Sequence, residues 1–359
     1  MDDYYKRLLL TASLFSCTGL FIYWYLYTLL FISIVFFSFW IAYEHIQDNL
    51  KENVNPKDKF VFITGCDSGF GLASAKKFRD VGFSVIAGCF DENSAGAKEL
   101  QSGSAKVDVV ALDVSDQNSV SKCGQFIDTL CKGKGLWAVI NNSGVNDMGY
   151  VEMITMDAYL KTAEINLFGA VRVTKTLLPL IRKAKGRVIN VTSERGFNPW
   201  PLSSSYCITK FGLEAFSACL RREMEQFDVK VITVAPGNFS GASSITNQAA
   251  NDSLRRNLRN GRLLLSEDDQ KSYPEDVIDS MIKKIEDDRP LSCSSPDPVV
   301  DAYLDAAMNT MPRRCYMVTG MARKYLDPTI VCARLRSFLP DRVMNIAVNL
   351  VMFVLNREF

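Results

Sequence analysis

The chain has one histidine, His45, and its ten cysteines include no CxxC pair. Without a cluster of ligands at metal-binding intervals, a zinc centre is excluded. Cysteines at 17, 66, 89, 123, 131, 207, 219, 293, 315 and 332 stand singly. That scatter speaks against a disulfide framework and for small core thiols in a reducing compartment. An excess of charge of either sign is missing too: 41 Lys and Arg face 40 Asp and Glu, a formal net of +1. So even a balance offers no basic face for DNA or RNA and no acidic tail. No internal repeat or low-complexity tract interrupts the chain.

From Leu8 to Tyr43 there is no Asp, Glu, Lys, Arg or His, and the stretch is dense in Leu, Phe, Ile, Tyr and Trp. A bilayer-spanning helix needs about 20 apolar residues. Residues 8–43 therefore suffice for one long tilted transmembrane pass, or for two short passes turning near Cys17-Thr18-Gly19. The segment is too long for a cleaved secretory signal and no small-x-small site follows it. Asp2 and Asp3, with no Arg- and Ser-rich amphipathic start, speak against a mitochondrial presequence. Residues 1–7 form a short flank, and a polar linker, 44–58, ends at Asn55-Pro56.

The most informative pair is Tyr206 and Lys210. Four residues apart on a helix, they share a face. A free phenol loses its proton near pH ~10, and a neighbouring cation favours the phenolate. Ser193 follows the apolar strand pattern Arg187–Val191 and would deliver a hydroxyl to the same cleft.

Upstream, Lys59–Thr64 reads as a buried strand running into Gly65-Cys66-Asp67-Ser68-Gly69-Phe70-Gly71 and then a helix. Glycines permit a tight turn with positive φ, and the following helix N-terminus attracts a pyrophosphate. A second strand, Ser84–Phe90, ends at Asp91. An acid there can accept bonds from adenosine ribose hydroxyls and repel a 2′-phosphate, which favours NAD over NADP. Two further strands end at Asp113-Val114 and at Asn141-Asn142-Ser143-Gly144, and Lys230–Ala235 stops at Pro236-Gly237. The alternation predicts an α/β fold: a Rossmann-like, doubly wound parallel sheet of six or seven strands in one domain.

In conjunction, Thr64-Gly65-xxx-Gly69-x-Gly71, Asp113, Asn141–Gly144, Asn166, Ser193, Tyr206-xxx-Lys210 and Pro236-Gly237 resemble the short-chain dehydrogenase/reductase family over about residues 57–240. The nearest branch is that of the retinol, 17-beta-hydroxysteroid type 2 and D-beta-hydroxybutyrate dehydrogenases. The resemblance implies Tyr206 as general acid/base, Lys210 lowering its pKa and holding the nicotinamide ribose, and Ser193 binding the substrate oxygen. It gives Asn166 a helix irregularity and a water for proton relay. Cofactor contacts would come from Thr64, Gly65, Asp67, Ser68, Gly69, Phe70, Gly71, Asp91, Asp113, Val114, Asn141, Gly144, Tyr206, Lys210, Pro236 and Gly237. No metal is implied. Ser143, Gly241, Cys89 and the charged pair Glu194-Arg195 depart from the family pattern.

Three parts follow: a dinucleotide-binding catalytic region, 59–240; a substrate lid and last elements, 241–330; and an apolar tail, 331–359. In that tail Asn345, Asn349 and Asn356 fall on one helical stripe, which suits insertion at a membrane interface or packing against a partner subunit. The expected function is a membrane-anchored NAD-dependent oxidoreductase interconverting an alcohol and its carbonyl on a steroid or retinoid, in the endoplasmic reticulum membrane. D-3-hydroxybutyrate dehydrogenase in a mitochondrial membrane is the alternative, and an inactive cofactor-binding scaffold is the reading of another class. The family resemblance also suggests a homodimer or tetramer.

Overall fold

The structure is a computed structural model and describes residues 2–49, 52–102, 107–243, 248–287, 292–320, 328–335 and 346. It divides into two units, Met1–Asn53 and Val54–Phe359.

The first unit is a single helix, α1 (Asp2–Asn49). It runs unbroken through Gly19, so the two-pass alternative does not describe it. No proline falls within it, and one glycine costs a helix only about 1 kcal/mol. The linker expected from Glu44 is helical as far as Asn49 for the same reason. Thr11, Thr18, Thr28 and Ser33 return their hydroxyls to carbonyls one turn back, so these donors are satisfied within the helix. Consecutive residues Leu20 to Tyr27 are all exposed and mostly apolar, leaving no polar face. By length and composition Tyr4–Phe36 can cross a membrane.

The second unit alternates strands and helices. Its strands are β1 (Phe60–Thr64), β2 (Ser84–Cys89), β3 (Asp108–Ala111), β4 (Ala138–Asn141), β5 (Arg187–Val191), β6 (Lys230–Pro236) and β7 (Cys315–Val318). They form one sheet in the order β3-β2-β1-β4-β5-β6-β7, and every pairing is parallel. Side chains alternate across a strand. In β1, accordingly, Val61 and Ile63 enter the core beneath α2 (Gly69–Val81), α3 (Ala95–Ser102) and α11 (Asp297–Met308). Phe62 enters the opposite core, under α4 (Gln117–Cys131), α6 (Ala170–Lys183) and α7 (Ser204–Met224). Six cysteines, 66, 89, 123, 131, 207 and 332, are buried, and all ten are free thiols.

The remaining helices are α5 (Met156–Ala163), α8 (Gln248–Leu263), α9 (Glu267–Ser272), α10 (Glu275–Asp287) and α12 (Pro328–Leu335). Leu254 and Leu258 of α8 and Ile278 and Ile282 of α10 close a separate small core on Met153. The asparagine stripe expected at Asn345, Asn349 and Asn356 on an apolar tail lies outside the described residues.

At the far end of the sheet, Arg187 donates to the carbonyls of Ala306 and Asn309 at 2.8 and 2.9 Å, and Trp137 Nε1 donates to Ala307 at 3.0 Å. These are acceptors that a helix C-terminus leaves unpaired. Arg187 thereby fixes α11 against the strands. Deep between β4 and β5, Asn141 Nδ2 donates to Asn190 Oδ1 (2.7 Å) and Thr174 Oγ1 (2.9 Å), while Asn190 Nδ2 donates to Ser217 Oγ (2.8 Å). This chain locks α6 and α7 to the sheet. Removing one member leaves buried partners unpaired, which costs about 1–3 kcal/mol. Asn190→Ala should lower the urea unfolding midpoint by that amount of stability, and an unchanged midpoint would show the network to be energetically idle.

Candidate active site

β1 and β4 leave the sheet in opposite directions, β1 toward β2 and β4 toward β5. Such a reversal opens a crevice at the carboxyl ends of the strands. A cleft of about 960 Å³ lies there. Gly65 (φ +72°) and Gly69 (φ +57°) take left-handed conformations that favour glycine. At Gly71 a Cβ would stand 2.1 Å from the Gly65 carbonyl, so only glycine lets helix α2 start this close to the turn. Ser68 and Phe70, at the opening of this helix, line the cleft, where the helix N-terminus brings a partial positive charge. This is a cradle that fits a pyrophosphate.

Gly65, Asp67, Ser68, Phe70, Asp113, Val114, Gly144, Ser193, Tyr206, Lys210, Pro236 and Gly237 all line this one cleft. Thr64, Gly69, Gly71, Asn141 and Asn166 stand behind it. Thr64 Oγ1 accepts the N–H groups of Asn142 (3.0 Å) and Ser143 (2.9 Å), and Asn141 belongs to the buried network. Asp91 departs from expectation. Its carboxylate accepts the Asn93 N–H at 2.8 Å and is not among the lining residues. Asp67 does line the cleft, and its two oxygens accept the N–H groups of Phe90 (3.0 Å) and Asp91 (2.9 Å). Asp113 lines it too, its Oδ1 receiving the Ser115 N–H and Oγ–H.

Asn166 sits in a π-helical turn, Glu164–Gly169, between α5 and α6. Its Oδ1 accepts the Val145 N–H and its Nδ2 donates to the Val145 carbonyl, both at 2.8 Å, and to Thr209 Oγ1 at 3.2 Å. Those bonds pin the loop after β4 to α7. The π-helical turn is the helix irregularity expected at Asn166.

Ser193, two residues beyond β5, accepts the Arg195 N–H at 3.2 Å. It also hydrogen-bonds the Tyr206 phenol. One turn along α7, Lys210 is buried, donates Nζ–H to the Val191 carbonyl at 2.8 Å and lies 5.3 Å from the Tyr206 ring centroid. Tyr206 shows part of its ring to the cleft, but the walls still strip water from its hydroxyl. Burial consequently pushes the phenol up to about 12, against the pull of its Ser193 hydrogen bond and of the Arg195 charge. The sequence led us to expect a phenol acidified by Lys210. Instead, desolvation outweighs the nearby charges, and the same burial brings Lys210 down to about 8, with Glu214 opposing.

Sequence reasoning missed Tyr303 and Trp200. Tyr303 is fully buried and donates its hydroxyl to Asn142 Oδ1 at 3.1 Å. Its helix was legible as helix, but nothing in the sequence aims it at the β4 turn. Trp200 lines the cleft under the Arg195 guanidinium.

Residues 59–252 match the family described as short chain dehydrogenase. The chain is 43% identical over 233 residues to mitochondrial D-beta-hydroxybutyrate dehydrogenase of Mus musculus, covering 64% of this chain and 67% of that one. It is 35% identical over 290 residues to retinol dehydrogenase 7 of Rattus norvegicus, covering 80% and 88%. Among solved structures, the fold is similar to the Cj0485 dehydrogenase (TM-score 0.58, 21% identity, 76% of this chain and 96% of that one). It is also similar to a metagenomic short-chain oxidoreductase in complex with NADP (TM-score 0.55, 18% identity, 75% and 100%).

Lys210 carries a pH signature. Its ordinary value is 10.5 and the folded chain holds it near 8. Between those values the unfolded chain binds the extra proton, so stability rises with pH across the window. The stability difference between the parent and Lys210→Met, from urea unfolding, should therefore move in the parent's favour from pH 8 to 10.5. A gap independent of pH would show that Lys210 is not desolvated.

Proposed function

The chain belongs to the short-chain dehydrogenase family, and on that premise we propose a membrane-anchored, NAD-dependent enzyme that interconverts a lipophilic alcohol and its carbonyl. Membership makes it an oxidoreductase acting on CH–OH groups with a nicotinamide cofactor. The substrate class, the choice of NAD and the anchor are our own reading.

The observation that carries this reading is the convergence of Ser193, Tyr206 and Lys210 on a cleft with a glycine cradle. Gly65, Ser68, Phe70, Asp113 and Gly144 would hold the dinucleotide along the cleft. When bound, it takes or gives a hydride at the carbinol carbon, and its oxidised ring carries a positive charge. Ser193 holds the substrate oxygen beside the phenol, and Tyr206 takes the alcohol proton in oxidation and returns it in reduction. Lys210 fixes the geometry from below through the Val191 carbonyl.

NAD is supported by Asp67 and Asp113, two carboxylates at the adenosine end that disfavour a 2′-phosphate. An uncharged lipophilic substrate, a steroid or retinoid, is supported by Met148, Trp200, Leu202 and Leu254 on the other wall. Arg195, the cation on that side, is already matched by Glu194. Residues 241–330 would supply the lid over this wall, and 59–240 the catalytic body. Helix α1, with exposed apolar residues all along Leu20–Tyr27, supports an anchor; the endoplasmic reticulum is our reading of the membrane, which imaging of the tagged full chain tests. D-3-hydroxybutyrate oxidation in a mitochondrial membrane is the second reading, supported by the 43% identity to the mouse enzyme of that name. Exposed Phe168, Ile208 and Phe211 beside Asn166 and Tyr206 support a homodimer or tetramer. Sedimentation of the detergent-solubilised chain as a monomer would remove that element.

Tyr206→Phe should reduce turnover by about 10²–10⁴-fold with dinucleotide affinity little changed; equal turnover ends the assignment. In substrate profiling with NAD and NADP in parallel, higher kcat/KM with NAD on steroid or retinoid alcohols is the expected result. Turnover of D-3-hydroxybutyrate with none of these establishes the second reading.

A further inference from the structure

Arg195 lines the cleft, yet nothing assigned so far uses its side chain. It belongs to the 3-10 turn Glu194–Gly196 that directly follows Ser193. The guanidinium is held in place. Its Nε lies 3.2 Å from Glu194 Oε1, and its centre stands 4.6 Å from the Trp200 ring centroid. A salt bridge thus fixes one corner and an aromatic ring covers one face. The peptide is anchored as well, since the Arg195 N–H donates to Ser193 Oγ at 3.2 Å.

A guanidinium presents its N–H donors as a rigid planar fork. Here Nη1 is cut off from water and has no hydrogen-bond partner among the described residues. Buried donors are seldom left so, and one beside a ligand cleft marks what a ligand can bring. The side chain as a whole keeps 21% exposure, so it is packed but not sealed away from that cleft.

Charge decides the kind of acceptor. Glu194, whose side chain is 3% exposed, already neutralises the guanidinium. A substrate carboxylate would set a second desolvated anion against a single cation, and an unmatched buried charge is costly. A ketone or hydroxyl oxygen accepts the same bond without that cost. Met148, Leu202 and Leu254, with Trp200, supply apolar surface for the carbon skeleton that carries it.

Resting on the reading of the chain as a dehydrogenase of lipophilic alcohols, we propose that Arg195 determines specificity by donating to a second, uncharged oxygen of the substrate. The ligand class is a steroid with two oxygen functions, one that reacts at Ser193 and Tyr206 and one that meets Arg195. A retinoid alcohol, with its single oxygen, leaves the fork unanswered. Because the Arg195 peptide is anchored on Ser193, the reach of its side chain bounds the separation of the two oxygens.

The test assays the full chain on a saturated steroid monoalcohol and on hydroxyketones that add one ring ketone to it at successive positions. A hydrogen bond from a charged donor discriminates by about 10–100-fold. At least one hydroxyketone should therefore exceed the monoalcohol in kcat/KM by that factor. Arg195→Met, combined with Glu194→Gln so that no carboxylate is left unpaired, should erase most of the ratio. A merely structural role for the turn would slow both substrates alike and preserve it. If the parent treats every hydroxyketone like the monoalcohol, the proposal is overturned, whether or not the double variant folds. A ratio unchanged in the double variant overturns it too, as does preference for a steroid carboxylate over the hydroxyketones. Turnover of none of these steroids shows a different failure, that of the underlying reading, and removes the proposal with it.

Discussion

The cleft depends on a knot of hydrogen bonds around Asn142. Its side-chain N–H₂ donates to the carbonyls of Thr64 and Gly65, its peptide N–H reaches Thr64 Oγ1, and its Oδ1 receives the Tyr303 hydroxyl. Three elements distant in sequence are tied at one side chain: the end of β1, the turn after β4 and helix α11. Gly65 can hold its left-handed turn because its carbonyl has this partner. Arg187 and Trp137 secure the same helix from its other end. The cradle is thus held at two points, and the sheet between them transmits no slack to it.

Around the reacting groups, stability and chemistry pull in opposite directions. Burial raises the Tyr206 phenol to about 12 and lowers Lys210 to about 8. Water exclusion nevertheless strengthens every charge that remains, which is the condition under which a hydroxyl at Ser193 or a guanidinium at Arg195 counts for something. A protonated Lys210 is therefore an expense of the fold, offset in part by the Val191 carbonyl and by the Glu214 charge.

Much of this was legible in the sequence because it is local. The run from Lys59 to Phe78 contains its own strand, turn and helix, and Tyr206 and Lys210 are related by helix periodicity alone. The parallel sheet follows from alternation, although the count was open until β7 was seen to pair with β6. What escaped is what tertiary structure brings from afar. Asp67 lies in the glycine turn, and only the β1–β2 pairing carries it to Phe90 and Asp91, whose carboxylate then turns to its own loop. Asn190 reads as one residue of an apolar strand; its bonds to Asn141 and Ser217 need three elements in place. At Tyr206 and Lys210, a helix spacing reveals a neighbour but not the water that burial removes.

The all-parallel sheet has a further consequence, for the order in which the molecule comes into being. No two neighbouring strands are joined by a tight turn, so each pairing closes a long loop before it is rewarded. The first strand synthesised ends up between the second and the fourth. The edge strand Cys315–Val318 is made late, and the contacts that finish the β6 side await it. Non-local pairing of this kind folds slowly. The N-terminal helix differs, since its backbone bonds close within itself as soon as its own residues exist. One chain therefore matures on two clocks, an early one for the helix and a late one for the pocket.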